Sequence, residues 1–394
     1  MTEQLIAAHG GIIINQLVSP DRRAEIETDA NGWPSWELTH RQLCDLELVL
    51  SGAFSPLKGF LCRSDYESVC HDMRLTNGTV WPIPITLDVP HELAEALRSH
   101  SSLALKDTKG NILAALKVED IWQPDLIEEA KLVYGTRNTE HPGVARLLAD
   151  SHPCYVGGVV EGLELPRHSD FTQLRLTPGA LRGRFAKMGW SRVVAFQTRN
   201  PMHRAHHAVA LQASRELQAN LLIHPVVGLT KPGDVDHNTR VRCYQTVLKH
   251  FPAGTAMLSL LPLAMRMAGP REAVLHAILR KNYGCSHFIV GRDHAGPGKD
   301  SKGIPFYGPY DAQHLVRELE QELQIAVAPF REMVYVVDLG KYLEVDKVPE
   351  GSETKSLSGS ELRQRLSEGQ SIPEWFSFPE VAAELKKTCS PRQQ

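Results

Sequence analysis

Between residues 190 and 325, short apolar runs alternate with helical patterns, and this alternation restricts the fold more than any other feature of the chain. Runs suited to buried strands fall at 191–196, 221–227, 256–260 and 287–290. Helical patterns fall at 205–218, 240–250, 271–282 and 312–323. In the first helix Ala205, Val209, Ala213 and Leu217 recur every four residues and give one apolar face. Strands separated by helices imply a parallel sheet with right-handed crossovers, hence an α/β fold. Ligands of such sheets bind outside the carboxyl ends of the strands. The residues that follow each strand are therefore the candidate site.

The rest of the chain reads differently. Residues 1–167 carry short strand-like runs, such as 81–89, broken by Gly, Pro and Asn. A hairpin is expected at 101–118 around Asp107 to Asn111, with helical patches at 39–50, 92–98 and 144–150. This is a β-rich mixed domain, ending in the polar stretch 165–171. The α/β domain then takes 168–325 and a small third unit 326–394. That unit has a strand at 333–337, a polar loop at 344–358, a helix over 361–367 capped by Ser358 or Ser360, and a last helix at 379–387. A net charge of −3 gives no reason to expect a nucleic-acid partner. No apolar run approaches the roughly 20 residues that span a bilayer, and the acidic start with its short apolar patch does not suit a signal peptide. Seven cysteines, an odd number without a C-x-x-C pair, suggest free thiols in the cytoplasm.

The first strand runs into Gln197, Thr198, Arg199, Asn200, Pro201, Met202, His203 and, one helical turn on, His206. Asn200 is a preferred helix N-cap and Pro201 suits the first helical position. His203 and His206, three apart, share a face of the first turn. A helix start presents unpaired N–H groups and a positive dipole end, so Arg199, His203 and His206 there suggest phosphate handling. An ordinary capped helix would explain Asn200 and Pro201 but not the gathering of Gln197, Arg199, His203 and His206. A zinc ion on His203 and His206 would want a third ligand, and none is evident nearby. The last strand leads into Gly291, Arg292, Asp293, His294, Ala295 and Gly296, where glycines and successive N–H groups could form an anion nest. A third loop, Gly228 to Asp234, is followed by Arg240 and Arg242, and Lys299 and Lys302 could form a lid. No Gly-x-x-x-x-Gly-Lys-[Ser/Thr] is present, so phosphates are not held by a P-loop. The candidate site is rich in anion binders and poor in bases. That suits a transfer between anions whose nucleophile needs no deprotonation.

These two central motifs resemble the signature segments of the ATP sulfurylases. Gly52 to Phe60, Glu140 to Val144, Ala268 to Ala273 and Ile372 to Ser377 agree as well, so the resemblance runs along nearly the whole chain. It implies a Rossmann-like nucleotidyltransferase domain of the His-x-x-His class, a PUA-like N-terminal domain and a small C-terminal α/β domain. It implies that sulfate is joined to the α-phosphate of ATP, giving adenosine 5′-phosphosulfate and pyrophosphate. Gln197, Arg199 and the Ala295 N–H would bind sulfate. Asn200, His203, His206 and Arg292 would hold the ATP phosphates, with Thr198 also in the catalytic turn. Gly291, Asp293, His294 and the backbone near Val334 would surround adenosine. Mg2+ would enter with ATP without a protein site of its own. Some relatives bind zinc through Cys and His in the C-terminal unit, but residues 326–360 have neither, so no zinc is expected. The chain stops at Gln394, so no fused kinase domain is expected either. A homo-oligomer, with a dimer favoured, is the family's habit. The competing readings are a His-x-x-His adenylyltransferase for another acceptor and a non-catalytic RNA binder of the PUA type.

Overall fold

The structure, a computed structural model, describes residues 4–231, 234–357 and 359–389. Its N-terminal unit is built on a six-stranded sheet ordered Ser35–Glu37, Ser102–Lys106, Ile112–Trp122, Cys154–Gly162, Gly59–Phe60, with Leu87–Val89 also on Cys154–Gly162. The expected hairpin is present. Asp107 turns it, its Oδ1 accepting the N–H groups of Lys109 at 2.9 Å and Asn111 at 2.8 Å. Of the strand-like run at 81–89, only Leu87–Val89 is a strand. The helix His40–Leu50 starts in a capping box, in which Thr39 Oγ1 accepts the Gln42 N–H and Gln42 Oε1 accepts the Thr39 N–H. His141 caps Pro142–Asp150 through Nδ1, with proline at the first helical position.

The second unit is a five-stranded sheet ordered Ala326–Pro329, His287–Val290, Val193–Phe196, Asn220–Ile223, Ala256–Leu258, with every pair parallel. Each expected strand lies within it. Additional elements include the helix Pro178–Lys187 before the first strand and the edge strand Ala326–Pro329. That edge strand pairs in parallel with His287–Val290. The segment expected as one helix over 312–323 is Asp311–Glu318 followed by Glu320–Leu323. Beyond the sheet, Lys341–Glu344, Met333–Val336 and Thr354–Lys355 form a small antiparallel sheet. The helices Gly359–Ser367 and Pro379–Cys389 follow. Ser360 lies inside the first of these and is not its cap, while Ser358 lies outside the described residues.

Pro270–Asn282 is the seam between the units, and every residue from Glu272 to Asn282 is buried. Two of its polar side chains are satisfied from the N-terminal unit. Arg271 donates to the carbonyls of Val69, Cys70 and Pro82, and Asn282 donates to those of Ala53 and Ser55. One hydrophobic cluster accordingly runs from Leu38 in the first unit to Ile325 in the second. Beside it lies a buried charge network. Asp45 accepts from Arg266 at 2.6 and 2.8 Å and from Arg41 at 2.9 Å, and Arg41 also pairs with Asp88. Gly143 is required at the seam, because a Cβ there would sit 2.2 Å from the Arg266 carbonyl. A second cluster on the far face joins Val194 and Val209 to Leu362, Phe376 and Leu385 of the C-terminal segment. The six cysteines whose side chains are described are free thiols. No helix among the described residues is long and apolar enough to cross a membrane.

Candidate active site

The turn after Val193–Phe196 does not begin a helix at Asn200. The helix is Arg204–Glu216 and its N-cap is His203, so Asn200 and Pro201 lie in irregular chain. The reason is a competition for the Asn200 carbonyl, which would have accepted the first intrahelical bond. It accepts instead from Thr198 Oγ1 at 3.1 Å and from the Tyr244 hydroxyl at 2.8 Å. The Asn200 N–H donates to the same Thr198 Oγ1 at 3.0 Å. Thr198, buried, therefore closes the turn. Arg240 braces it from behind, donating to the carbonyls of Arg199 and Val226 at 2.9 Å each. Arg240 is 2 % exposed, so this cation is a backbone clamp rather than part of a solvated face.

The His203 N–H donates to His206 Nδ1 at 3.2 Å. His206 Nδ1 is thereby an acceptor, and the neutral ring carries its proton on Nε2. Burial lowers the His206 pKa to about 4, so the ring is neutral at physiological pH. His203 lies 4.3 Å, ring to ring, from Phe376, and burial holds it well below the usual histidine range. The tail fixes the helix start further: the Arg204 N–H donates to the Phe376 carbonyl, and its guanidinium covers Phe378 at 4.3 Å.

Two cavities meet at this turn. One, of about 300 Å³, is lined by Gln197 and Thr198, by Gly291 to Gly296, and by Phe330 to Met333. The other, of about 440 Å³, is lined by His203, Lys231, Asp234 and an apolar wall that includes Leu362, Leu366 and Phe376. Arg199, Asn200, Ala205 and His206 line both. The motifs expected at two strand ends are thus brought together around one space. Two of the expected residues do not line the smaller cavity. His203 lines only the larger cavity. Val334 does not reach the wall, because Met333 beside it on the strand does. Lys299 and Lys302 line neither cavity, and the loop between them is held to the N-terminal unit by Glu140, which accepts from the Ser301 N–H and hydroxyl.

Several partners were not legible in the motifs. Arg199 Nη1 donates to both oxygens of Asp234, at 2.5 and 2.7 Å, which fixes the guanidinium and leaves Nη2 and Nε for a ligand. Pro232 and Gly233 of that loop lie outside the described residues. Arg292 pairs with Glu332 at 3.1 Å, both about half exposed. His294 is held by His276, Nε2 to Nδ1 at 3.0 Å, and burial lowers its pKa to about 3. The loop Gly291 to Gly296 is bent by two residues in left-handed conformation, Asp293 at φ 55° and Ala295 at φ 54°. Gly291 is different. Its φ is not left-handed, and a Cβ there meets nothing within 4 Å. No internal contact demands glycine at 291, but a ligand lying against the backbone would.

Buried histidines outweigh buried glutamates in the pH response. Burial lowers His9, His141 and His206 to about 4 and His294 to about 3. It raises Glu129 and Glu272 to about 7. A histidine depressed in the folded state is protonated first in the unfolded chain, so its contribution is lost as pH falls from 6.5 towards 4. The glutamates act oppositely, binding a proton first in the folded state, but they are fewer. The melting temperature should therefore fall as pH drops from 7 to 5, with each such histidine contributing up to about 1.4 kcal/mol per pH unit. Thermal melts across that range test this, and a rising melting temperature would refute it.

The sheet order and the paired strand-end motifs define an α/β nucleotidyltransferase. A family model described as ATP-sulfurylase matches residues 172–388, and one described as a PUA-like domain matches 6–165. Proteins named sulfate adenylyltransferase from Chaetomium globosum and Neurospora crassa are each 52% identical over 391 residues, covering 98% of this chain and 68% of theirs. The one from Aspergillus clavatus is 52% identical over 388 residues, 98% of this chain and 67% of its own. A solved structure, the hexameric APS kinase from Thiobacillus denitrificans, superposes with a TM-score of 0.81 at 35% identity, covering 98% of this chain and 69% of that one. The chain belongs to the ATP-sulfurylase family.

Proposed function

We propose that the junction of the two cavities is where adenylyl transfer occurs. The enzyme is a sulfate adenylyltransferase: it joins sulfate to the α-phosphate of ATP, releasing pyrophosphate. Gln197, Arg199 and the Ala295 N–H hold sulfate. Gly291, Arg292, Asp293, His294 and the backbone at Met333 take adenosine and the α-phosphate in the smaller cavity. Asn200, His203 and His206 face the leaving pyrophosphate in the larger one, where Lys231 also lies. The observation that carries this reading is that Arg199, Asn200, Ala205 and His206 line both cavities. A reacting phosphorus there has its nucleophile on one side and its leaving group on the other.

Sulfate is a dianion and needs no base. The obstacle is bringing it to a polyanion, so fixed donors and in-line positioning supply the catalysis. Neutral His203 and His206 stabilise through ring N–H donation rather than net charge. Mg2+ would arrive on the phosphates. Asp234 is committed to Arg199, and among the described residues no three metal-ligating side chains converge. We take the enzyme to work in the cytoplasm as a homo-oligomer, with a dimer as the simplest unit. One site serves both directions. ATP formation from adenosine 5′-phosphosulfate and pyrophosphate tests the whole reading, and its absence would refute it.

Gly291→Ala separates this reading from a purely structural one. The new methyl group enters open space, so the melting temperature should not change. Crowding a bound nucleotide by about 1–3 kcal/mol should raise KM for ATP roughly 5- to 150-fold. An unchanged KM would place the nucleotide elsewhere.

A further inference from the structure

A third cavity, of about 380 Å³, lies at the seam, away from the strand-end turn. Its charged floor is internally balanced, since Arg41 and Arg266 pair with Asp45 and Asp88. Three other ionisable groups line it and form no ion pair among the described residues, with burial raising Glu129 to about 7. Arg146 donates to the carbonyls of Met265 at 3.2 Å and Thr230 at 3.3 Å, and it forms no ion pair among the described residues. Glu129 accepts the hydroxyls of Tyr66 and Tyr155 on Oε2, each at 3.0 Å, and nothing described donates to Oε1. Asp150 stands exposed on the same helix as Arg146, one turn on, without pairing to it. Ile83, Val133 and Leu147 supply an apolar wall.

A fixed cation, two carboxylates and an apolar wall around one cavity are the complement of a zwitterion. We propose that this cavity binds a neutral α-amino acid. Its carboxylate takes the remaining N–H groups of Arg146, its ammonium meets Glu129 and Asp150, and its side chain lies on Ile83, Val133 and Leu147. A zwitterion leaves the charge balance of the seam unchanged. A simple anion would face both carboxylates, and a simple cation would face Arg146.

The cavity is linked to the catalytic turn through the partners of Arg146. Arg146 holds the carbonyl of Met265, which lines the smaller substrate cavity as well. It also holds Thr230, whose neighbour Lys231 accepts, on its carbonyl, the N–H of Asp234, the partner of Arg199, at 3.2 Å. A ligand drawing on Arg146 therefore acts on the loop that positions Arg199, and its binding should change KM for sulfate.

Calorimetric titration of the full chain with L-valine, L-leucine and L-methionine, each to about 10 mM, tests this. At least one should bind with a Kd below about 1 mM and shift the sulfate KM by about twofold or more. N-acetyl-L-methionine and L-methioninamide, each lacking one charge, should bind at least about tenfold more weakly than L-methionine. Asp150→Asn, at the exposed rim, should weaken binding several-fold without altering basal kinetics, and Arg146→Gln should abolish it. Arg199→Ala should leave binding intact, because the site is separate from the catalytic one. No binding by any of the three amino acids would overturn the proposal. So would equal binding of a single-charge analogue, or binding indifferent to both Asp150→Asn and Arg146→Gln. Binding with an unchanged sulfate KM would overturn the coupling.

Discussion

Arg199→Ala should reduce kcat/KM for sulfate by about 10³-fold or more while the protein stays folded. One preorganised donor to a developing anion is worth about 10²–10³ in rate, and a charged fork is stronger than a neutral donor. The substitution does further harm. It leaves the Asp234 carboxylate, only 8% exposed, unpaired beside the proposed sulfate site. The double variant Arg199→Ala/Asp234→Asn should therefore recover about tenfold over the single one, which a double-mutant cycle would read as coupling. Steady-state rates of sulfate-dependent pyrophosphate release supply the numbers. Full activity in the single variant would remove Arg199 from the sulfate site, and a double variant no better than the single would remove Asp234 from its field.

The second large effect concerns stability. Among the described residues, Asp45→Ala removes the only carboxylate paired with Arg266 and one of two paired with Arg41, at a position with no solvent exposure. Breaking a buried pair from one side costs about 3–5 kcal/mol, because the remaining charge stays buried. Among the described residues, the Arg266 guanidinium would keep only the Ala264 carbonyl. Chemical denaturation should show this loss, and Asp45→Leu/Arg266→Met should recover much of it by replacing the pair with apolar packing. A loss below about 1 kcal/mol for Asp45→Ala would mean that the seam tolerates the orphaned arginine through water.

The parallel sheet was legible because four of its strands are apolar runs bounded by turn residues. The fifth, Ala-Val-Ala-Pro at 326–329, carries little apolar signal and ends in proline, which an edge strand tolerates. The helix start was misread for a definable reason. Asn200 and Pro201 have the local chemistry of a cap, but Tyr244, 44 residues away, takes the carbonyl that a cap needs. The candidate site followed the same rule. Residues contiguous with a strand end could be gathered from sequence alone. Their partners Asp234, Glu332, Arg240 and His276 come from other elements, and no periodicity connects them. Arg240 also shows why a basic residue in a helix is ambiguous on its own: its two carbonyl acceptors appear only once the turn is folded.

The helix Pro270–Asn282 has a consequence for how chains of this kind can be recombined. Family descriptions part the molecule between 165 and 172, yet this helix, encoded a hundred residues later, supplies the surface on which the first part rests. A first part grafted from a relative would meet Arg271 and Asn282 chosen for a different neighbour. Inheritance should then track the seam rather than the linker, with the two sides changing together or not at all.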